Sequence, residues 1–550
     1  MRFPIIQLTK AQNASLTPIQ NRVIEFKGYD VQNVIADGAM RDMRNLCSDE
    51  YPSLYPRPQR GTYADFYADP STIMVRKEKL AVCDSTSFWY DGRRIFDFTL
   101  NYNGKRTMQA VNTRIVIFPD KMYYNTETGE YGNLGFTANP TSVAFHEDAT
   151  TKETCCTFTM PLGGTLEGLN KYDTISFKGM SPEITGYENG EDNNVKKALI
   201  ERIDYDNHKI YFASGVINYP TSDHQDFIDT GASGSGFTIE REIPDLDYIL
   251  EYSNRLYGCK GSTIYVSKLG DPTNWFFYGT GTAESSYTVE VGTDGDFTGI
   301  AALSSHIAFF KENCIHKLYG YKPANYQLIT TQCLGLEKGS HKSVQLINGV
   351  VYYKSREGIM AYTGDVPSII SHNFGKERYD SAVAGSDKMK YYVSMRNKAD
   401  GKWYMFVYDI ERGVWMLEDN TQAEDFAFID NQLVYTDHDK EKIISTSGDD
   451  EEPIEWYAKF GPYDEFLENK KVYSKINMRL LMEENSEISV WISVDGGAWE
   501  SVCHLSTYFK RTVELPIVPR RCDKFAILIQ GTGYVKIESM TRVVREGTMR

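Results

Sequence analysis

One short phrase recurs along this chain: a polar turn pair, one spacer, then a run of aliphatic and aromatic residues. It appears as Lys77-Glu78 before KLAVC, Asn112-Thr113 before RIVIF, Ser253-Asn254 before RLYGC and Ser304-Ser305 before HIAFF. Later copies are Asn348-Gly349 before VVYY and Asp430-Asn431 before QLVY. A turn pair between β-rich runs marks a hairpin, and Asn-Gly is its strongest form. Long helical periodicity is nearly absent. The aligned aliphatic residues are Leu80, Ile115, Leu256, Ile307, Val351 and Leu433. Spacings of 35, 51 and 44 residues (80 to 115, 256 to 307, 307 to 351) fit a repeat of about 40–50 residues. The gap from 351 to 433 leaves room for one more copy, filled by KYYVSM at 390–395. The gap from 115 to 256 holds one repeat and an insertion of about 100 residues.

A second phrase follows several of the first ones: FWYDGRRIF (88–96), TIYVSKLGDPTNW (263–275), IMAYTGDVPSII (359–370) and FVYDIERGVW (406–415). Each reads as strand, tight turn, strand. Two hairpins per repeat make a four-stranded antiparallel unit, the blade of a β-propeller. A blade is covered on both faces, which accounts for runs that are apolar almost throughout. The sequence therefore predicts an all-β chain with a propeller of about seven blades. A stack of β-sandwiches would share the same hairpins, but the regular spacing argues against it.

The remaining segments divide the chain. Residues 1–70 are expected to form an N-terminal arm and a ring-closing strand, with three prolines in the stretch 52–58. Residues 71–150 and 244–447 hold the blades, and 151–243 read as an inserted small β domain with Gly/Asn/Asp-rich loops at 187–194 and 230–236. Past the acidic run GDDEEP (448–453), residues 455–550 read as a C-terminal β-sandwich.

Composition narrows the function. Aromatics reach 13%, with 38 Tyr and 27 Phe, as pleated surfaces favour. No apolar run approaches the length of a membrane helix, and MRFPIIQLTK lacks a secretory core, so export and anchoring are not expected. The nine cysteines form no CxxC pair and fit free thiols rather than a zinc site or disulfides. A net charge of -16 disfavours capture of nucleic-acid phosphates, yet suits a wall past which DNA must slide.

Candidate chemistry is sparse. Asp495 in SVDGGAW is similar to the Asp-box turn of sialidase propellers, but is one residue short and lies outside the repeat. The 231–236 loop puts Ser235 where a GxSxG nucleophile elbow needs its second glycine. The nine histidines lack HxH and HExxH spacing; His306 and His316 flank a hairpin, where cross-strand polar pairing is the simpler role. The acidic turn 291–299 offers only Asp294 and Asp296, too few for calcium. The expectation is no catalytic residue, no metal, no cofactor and no enzymatic activity.

The stretch from Asn254 to Tyr326 is the most distinctive. Its GDPTNW phrase (Gly270, Asp271, Pro272 to Trp275) and its FFKE phrase (Phe309, Phe310, Lys311, Glu312) resemble the β-propeller of the bacteriophage tail nozzle and packaged-DNA stabilisation proteins. The segments NKKVYSKINMRLLM and LPIVPRRCDKFAILIQG are similar to the last domain of related phage structural proteins; the resemblance spans about 20–145 and 245–550. Read physically, Asp271-Pro272 preset a tight turn and Trp275 buries its ring against the next blade.

The resemblance implies a virion protein of the phage tail, assembled in the host cytoplasm. It implies a ring of six copies docked below a portal or adaptor protein, in contact with tail fibre or other tail proteins. Genomic DNA would pass through an acidic lumen without specific binding, and the nozzle would help retain it. The alternative is a propeller that recognises host-surface carbohydrate through exposed aromatics at its blade tips.

Overall fold

The computed structural model describes residues 18–100, 106–147, 154–178, 198–212, 232–233, 238–277, 283–506 and 509–546. The architecture is all-β, a β-propeller with appended sheets. Among the described residues seven antiparallel sheets have four strands each: sheet I over 72–97, II over 107–133, III over 248–290, IV over 299–332, V over 345–369, VI over 379–419, and VII over 423–445 with Gly61–Ala64 added. The first strands of I, II, III and IV touch in succession, as do those of V, VI, VII and I. Sheets IV and V share a core that includes Phe310, Ile315, Tyr353 and Tyr362, so the series closes on itself.

The recurring turn pair connects first and second strands. Lys77 and Glu78 have φ of 52° and 57°, Ser253 and Asn254 50° and 64°, Asn348 and Gly349 50° and 81°, Asp430 and Asn431 50° and 61°. Two consecutive left-handed residues define the type I′ turn, whose twist matches the strands it joins. Ser304-Ser305 departs from this pattern: it is a bend in which the Leu303 N–H donates to the His306 carbonyl at 2.9 Å. The aligned residues Leu80, Ile115, Leu256, Ile307, Val351 and Leu433 are all buried. Along Ile307–Phe310, Ile307 and Phe309 enter the core shared with sheet III, while Ala308 and Phe310 enter the core shared with sheet V. Period-two alternation thus buries both faces of one strand.

Three sequence-based boundaries need correction. The insertion begins near 136, not 151: Phe136–Ala138 and Ser142–Glu147 belong to an eight-stranded sheet that ends with Thr238–Arg241. That sheet has its own core around Phe158, Leu166, Ile200 and Ile210. Most of the 187–194 and 230–236 loops, Ser235 included, lies outside the described residues.

The first 70 residues are not an arm with one closing strand, and 455–550 is not self-contained. Ile19–Val23 pairs with Val535–Glu546 in five-stranded sheet A, and Met40–Arg44 pairs with Glu455–Tyr463 in five-stranded sheet B. Gly61–Ala64 then supplies the fourth strand of sheet VII, beside Lys442–Ser445. The inner residues of A (Ile476, Met478, Leu480) and B (Val490, Ile527, Ile529) join the core cluster that also holds Tyr391, Phe406 and Trp415 of sheet VI.

Candidate functional site

The two signature phrases have structural positions. Gly270 (φ 73°) donates its N–H to the Asn254 carbonyl and accepts from Asn112 Nδ2 at 3.0 Å. Asp271 Oδ1 accepts from the Thr273 N–H (3.0 Å) and hydroxyl (2.6 Å), and Trp275 Nε1 donates to the Pro272 carbonyl at 2.9 Å. The Trp275 ring is fully buried with Val111, Val116 and Phe118, so it packs on the preceding sheet II and not on the following one. The reason is that its turn folds back toward Asn112. Phe309 and Phe310 are core. Lys311, 1% exposed, donates to the Thr293 carbonyl (2.7 Å) and Ser262 Oγ (3.1 Å), tying sheet IV to the edge of III. Glu312 is exposed and accepts from the Lys338 N–H.

His306 and His316 serve different interfaces. His306 Nε2 shares a hydrogen bond with Tyr362 of sheet V (2.9 Å), whereas His316 lies between Thr293 (2.8 Å) and Thr330 (2.9 Å). Burial, helped by Lys317 beside His306 and Lys311 beside His316, pushes both down to about 4, so both are neutral at pH 7. Asp495 Oδ1 accepts the N–H groups of Asp523 and Lys524, both at 2.8 Å, and so fixes a neighbouring turn. Among the described residues no cluster of three His, Cys, Asp or Glu could hold a metal, and no helix is long and apolar enough to cross a membrane.

Among the concave sites of the described residues, two are set by the propeller and its junction with the appended sheets. The first is the hub of the propeller, a cavity of ≈ 470 Å³ walled by Met74, Gln109, Leu250, Ile300 and Leu346 from five first strands. At its wall the Lys342 ammonium donates to the Ser71 carbonyl (3.1 Å), Thr72 Oγ1 (3.2 Å), the Glu424 carbonyl (3.3 Å) and Asp425 Oδ2 (3.1 Å). One lysine between sheets IV and V therefore binds sheets I and VII across the hub. Among the described residues Asp425 is the one carboxylate in the lining, and it is held by Lys342. A glycosidase centre uses two carboxyl groups flanking the scissile bond, and this lining brings in one.

The second site is larger, a cleft of ≈ 1210 Å³ between sheet VI and the edge of sheet B. Its floor is Glu377, whose Oε2 accepts from the hydroxyls of Tyr29 (3.0 Å) and Tyr379 (2.5 Å), both rings being buried. Burial first, then the Glu377 charge, drives the Tyr29 phenol far above its usual range. For Tyr379 the order is burial, the neighbouring Tyr29, then Glu377. Opposite stands Asp42, which accepts from Tyr457 at 3.1 Å. Burial raises the Asp42 carboxyl, Glu377 adds to the rise, and Tyr457 and Lys459 oppose it. Burial, Asp400 and both cleft carboxylates push Tyr404 up to about 12. Arg41, Lys376, Arg378, Lys398 and Lys459 line the rim. The arrangement sets two carboxyl groups among phenols, with cationic side chains around them. Sequence reasoning missed it, because Asp42 and Glu377 lie in unrelated stretches without a shared motif.

Comparison with known proteins adds little to this geometry. No family model and no curated relative matches the chain. Among solved structures it is similar to an exo-β-1,3-galactanase from Phanerochaete chrysosporium, at 10% identity over 54% of this chain and 94% of that one, with a TM-score of 0.22. It is also similar to dipeptidyl peptidase 4 from Porphyromonas gingivalis, at 8% identity over 78% of this chain and 59% of that one, with a TM-score of 0.26. A further glycoside hydrolase matches at 11% identity over 53% of this chain and 96% of that one, with a TM-score of 0.20. The expectation that the chain is not an enzyme is withdrawn, since glycoside hydrolases stand among the folds it matches. Likeness at these TM-scores carries no activity or substrate across.

Proposed function

We propose that the seven four-stranded sheets are the seven blades of one ring, that sheets A and B form a sandwich, and that the protein is a subunit of a bacteriophage tail nozzle. The observation that carries this reading is the stitching of the chain. Strands at 19–23, 40–44 and 61–64 enter sheet A, sheet B and sheet VII in turn, so the propeller and the C-terminal sheets form one stiff body. A ring subunit under load has to resist shear between its parts, and crossed strands resist it better than a single linker. The signature phrases supply the resemblance, and each is bonded to an adjoining sheet.

The hub cavity is far too small for a duplex and is crossed by Lys342. DNA would therefore run between copies, not through the propeller. Several copies, six in the family it resembles, would surround a lumen below the portal or adaptor. The charge of -16 would keep DNA sliding without capture. Light scattering and negative-stain images of the purified protein, alone and with portal and adaptor, test this. Rings in either condition support it. A monomer that ignores the portal complex and binds glycans would replace it with host-carbohydrate recognition.

A further inference from the structure

The last strand of sheet IV, Gln327–Gln332, is an open edge. Its sequence, QLITTQ, holds neither charge nor proline. Gln327, Ile329, Thr330 and Gln332 are exposed, Ile329 by 50%. Among the described residues no strand pairs with its outer side. The outer strands of the other six sheets are guarded. Arg93–Asp97 and Tyr287–Glu290 carry charge, and Tyr131–Asn133, Ser368–Ile369 and Gly61–Ala64 are two to four residues long. Val414–Asp419 is met by Met40–Arg44 and Leu46–Cys47. Charge, shortness and cover are ways in which an edge is kept from pairing with another chain. Among the described residues, Gln327–Gln332 has none of them.

The ladder shows which backbone groups are free. Cys333 donates its N–H to the Asn313 carbonyl at 3.2 Å. Cys314, paired with Gln332, turns its carbonyl the other way and accepts from the Lys311 N–H at 3.0 Å. Bonded and non-bonded pairs alternate along an antiparallel ladder. Thr331, Ile329 and Gln327 therefore point their N–H and C=O groups inward, and Leu328, Thr330 and Gln332 point theirs outward. The bond between the Thr330 hydroxyl and His316 Nδ1, at 2.9 Å, fits this phase, since side chains come closest in non-bonded pairs. Outward groups at alternate positions are what a further antiparallel strand takes. Charge selects the strand. A two-fold axis sets like on like, and like charges opposite each other destabilise a sheet. An edge that pairs with its own copy is thus best left uncharged, whereas a foreign strand would impose no such neutrality.

We propose that two copies of this chain pair edge to edge through Gln327–Gln332, antiparallel about a two-fold axis at Thr330. Thr330 then faces its own counterpart and Leu328 faces Gln332 of the other copy, each pair exchanging two N–H···O bonds. Ile329 of one copy meets Thr331 of the other in the close pairs between them. One strand pair buries little area, so the dimer dissociates on dilution. The inference does not rest on the nozzle reading: a two-fold contact lies outside a single cyclic ring, so ring formation with portal and adaptor leaves it untouched. Light scattering of the purified full-length protein over a concentration series tests it. The parent should be a dimer that dissociates on dilution. Ile329→Lys/Thr331→Lys, which sets like charges against each other across the axis, should be a monomer throughout. A parent that is monomeric at every concentration, or a variant that melts like the parent and still dimerises, overturns the proposal. Oxidising the Ile329→Cys/Thr331→Cys variant tests the register separately. Its non-bonded pairs lie about 4.5 Å apart between Cα atoms, within reach of a disulfide, so a two-chain product is expected on non-reducing electrophoresis. The single variants should not link, and they control for the half-buried Cys333 and Cys503. No two-chain product, or the same yield from a single variant, also overturns it.

Discussion

The Arg57–Arg60 junction and the Asp42–Glu377 cleft both lie where sheet VI meets the N-terminal and C-terminal segments, and they treat buried charge in opposite ways. At the first, Arg60, 4% exposed, donates to Glu418 (2.7 Å), Asp419 (2.6 Å) and Thr421 (2.9 Å), while Arg57 reaches Glu451 (2.8 Å) and Asn45 (2.9 Å). Burial alone would raise the Asp419 carboxyl, but Arg60, Arg57 and Thr421 bring it below the usual carboxylate range. At the cleft, phenols replace guanidinium groups as donors, and Asp42 rises. Paired cations make a sealed joint. Neutral donors leave a carboxyl that still has something to gain from a ligand or a proton.

The largest expected effect comes from breaking the sealed joint. Arg60→Ala strands Glu418, leaves Asp419 with Arg57 as its one remaining cation among the described residues, and should cost about 3–5 kcal/mol, as buried pairs do when one partner is lost. Urea unfolding followed by two optical probes measures it, and a loss below about 1 kcal/mol would mean that the joint is wet. Next, Tyr379→Phe removes one of two phenol donors to Glu377 and should cost about 1.5 kcal/mol in the same assay; no change would mean that Tyr29 alone satisfies the carboxylate.

The two sites should also respond to acid with opposite sign. Asp419, depressed in the folded state, contributes stability above its unfolded value near 3.9 that is lost as pH falls through the lower folded value. Asp42 is raised, so its ionisation costs stability as pH climbs from about 3.9 through the folded value. Asp419→Asn should therefore destabilise the neutral protein, and Asp42→Asn should stabilise it modestly. Parallel slopes of stability against pH for the two variants would erase the distinction. The smallest effect belongs to the exposed pair Arg520–Glu500. Glu500→Gln should leave the denaturation midpoint where it was, showing that burial, not pairing, sets the size of the other effects.

What the chain determined by itself is its local geometry. Turn pairs such as Lys77-Glu78, Asn348-Gly349 and Asp430-Asn431 take left-handed backbone, and the alternating runs after them become second strands buried on both faces. Both features depend on a few adjacent residues, so both are legible without knowing what lies opposite. Trp275 marks the limit of that legibility. Its turn could be read from Asp271-Pro272, but the sheet it buries against could not, because the choice between two neighbours rests on Asn112, far back in the chain. The same holds for the first 64 residues. Nothing in IQNRV, MRDMR or GTYA says that they enter three different sheets, since each strand is completed by partners hundreds of residues away. Only the tertiary structure brings Asp42 opposite Glu377 or Glu465 beneath Arg542, because pairing at that distance follows from how the sheets pack and not from any local preference.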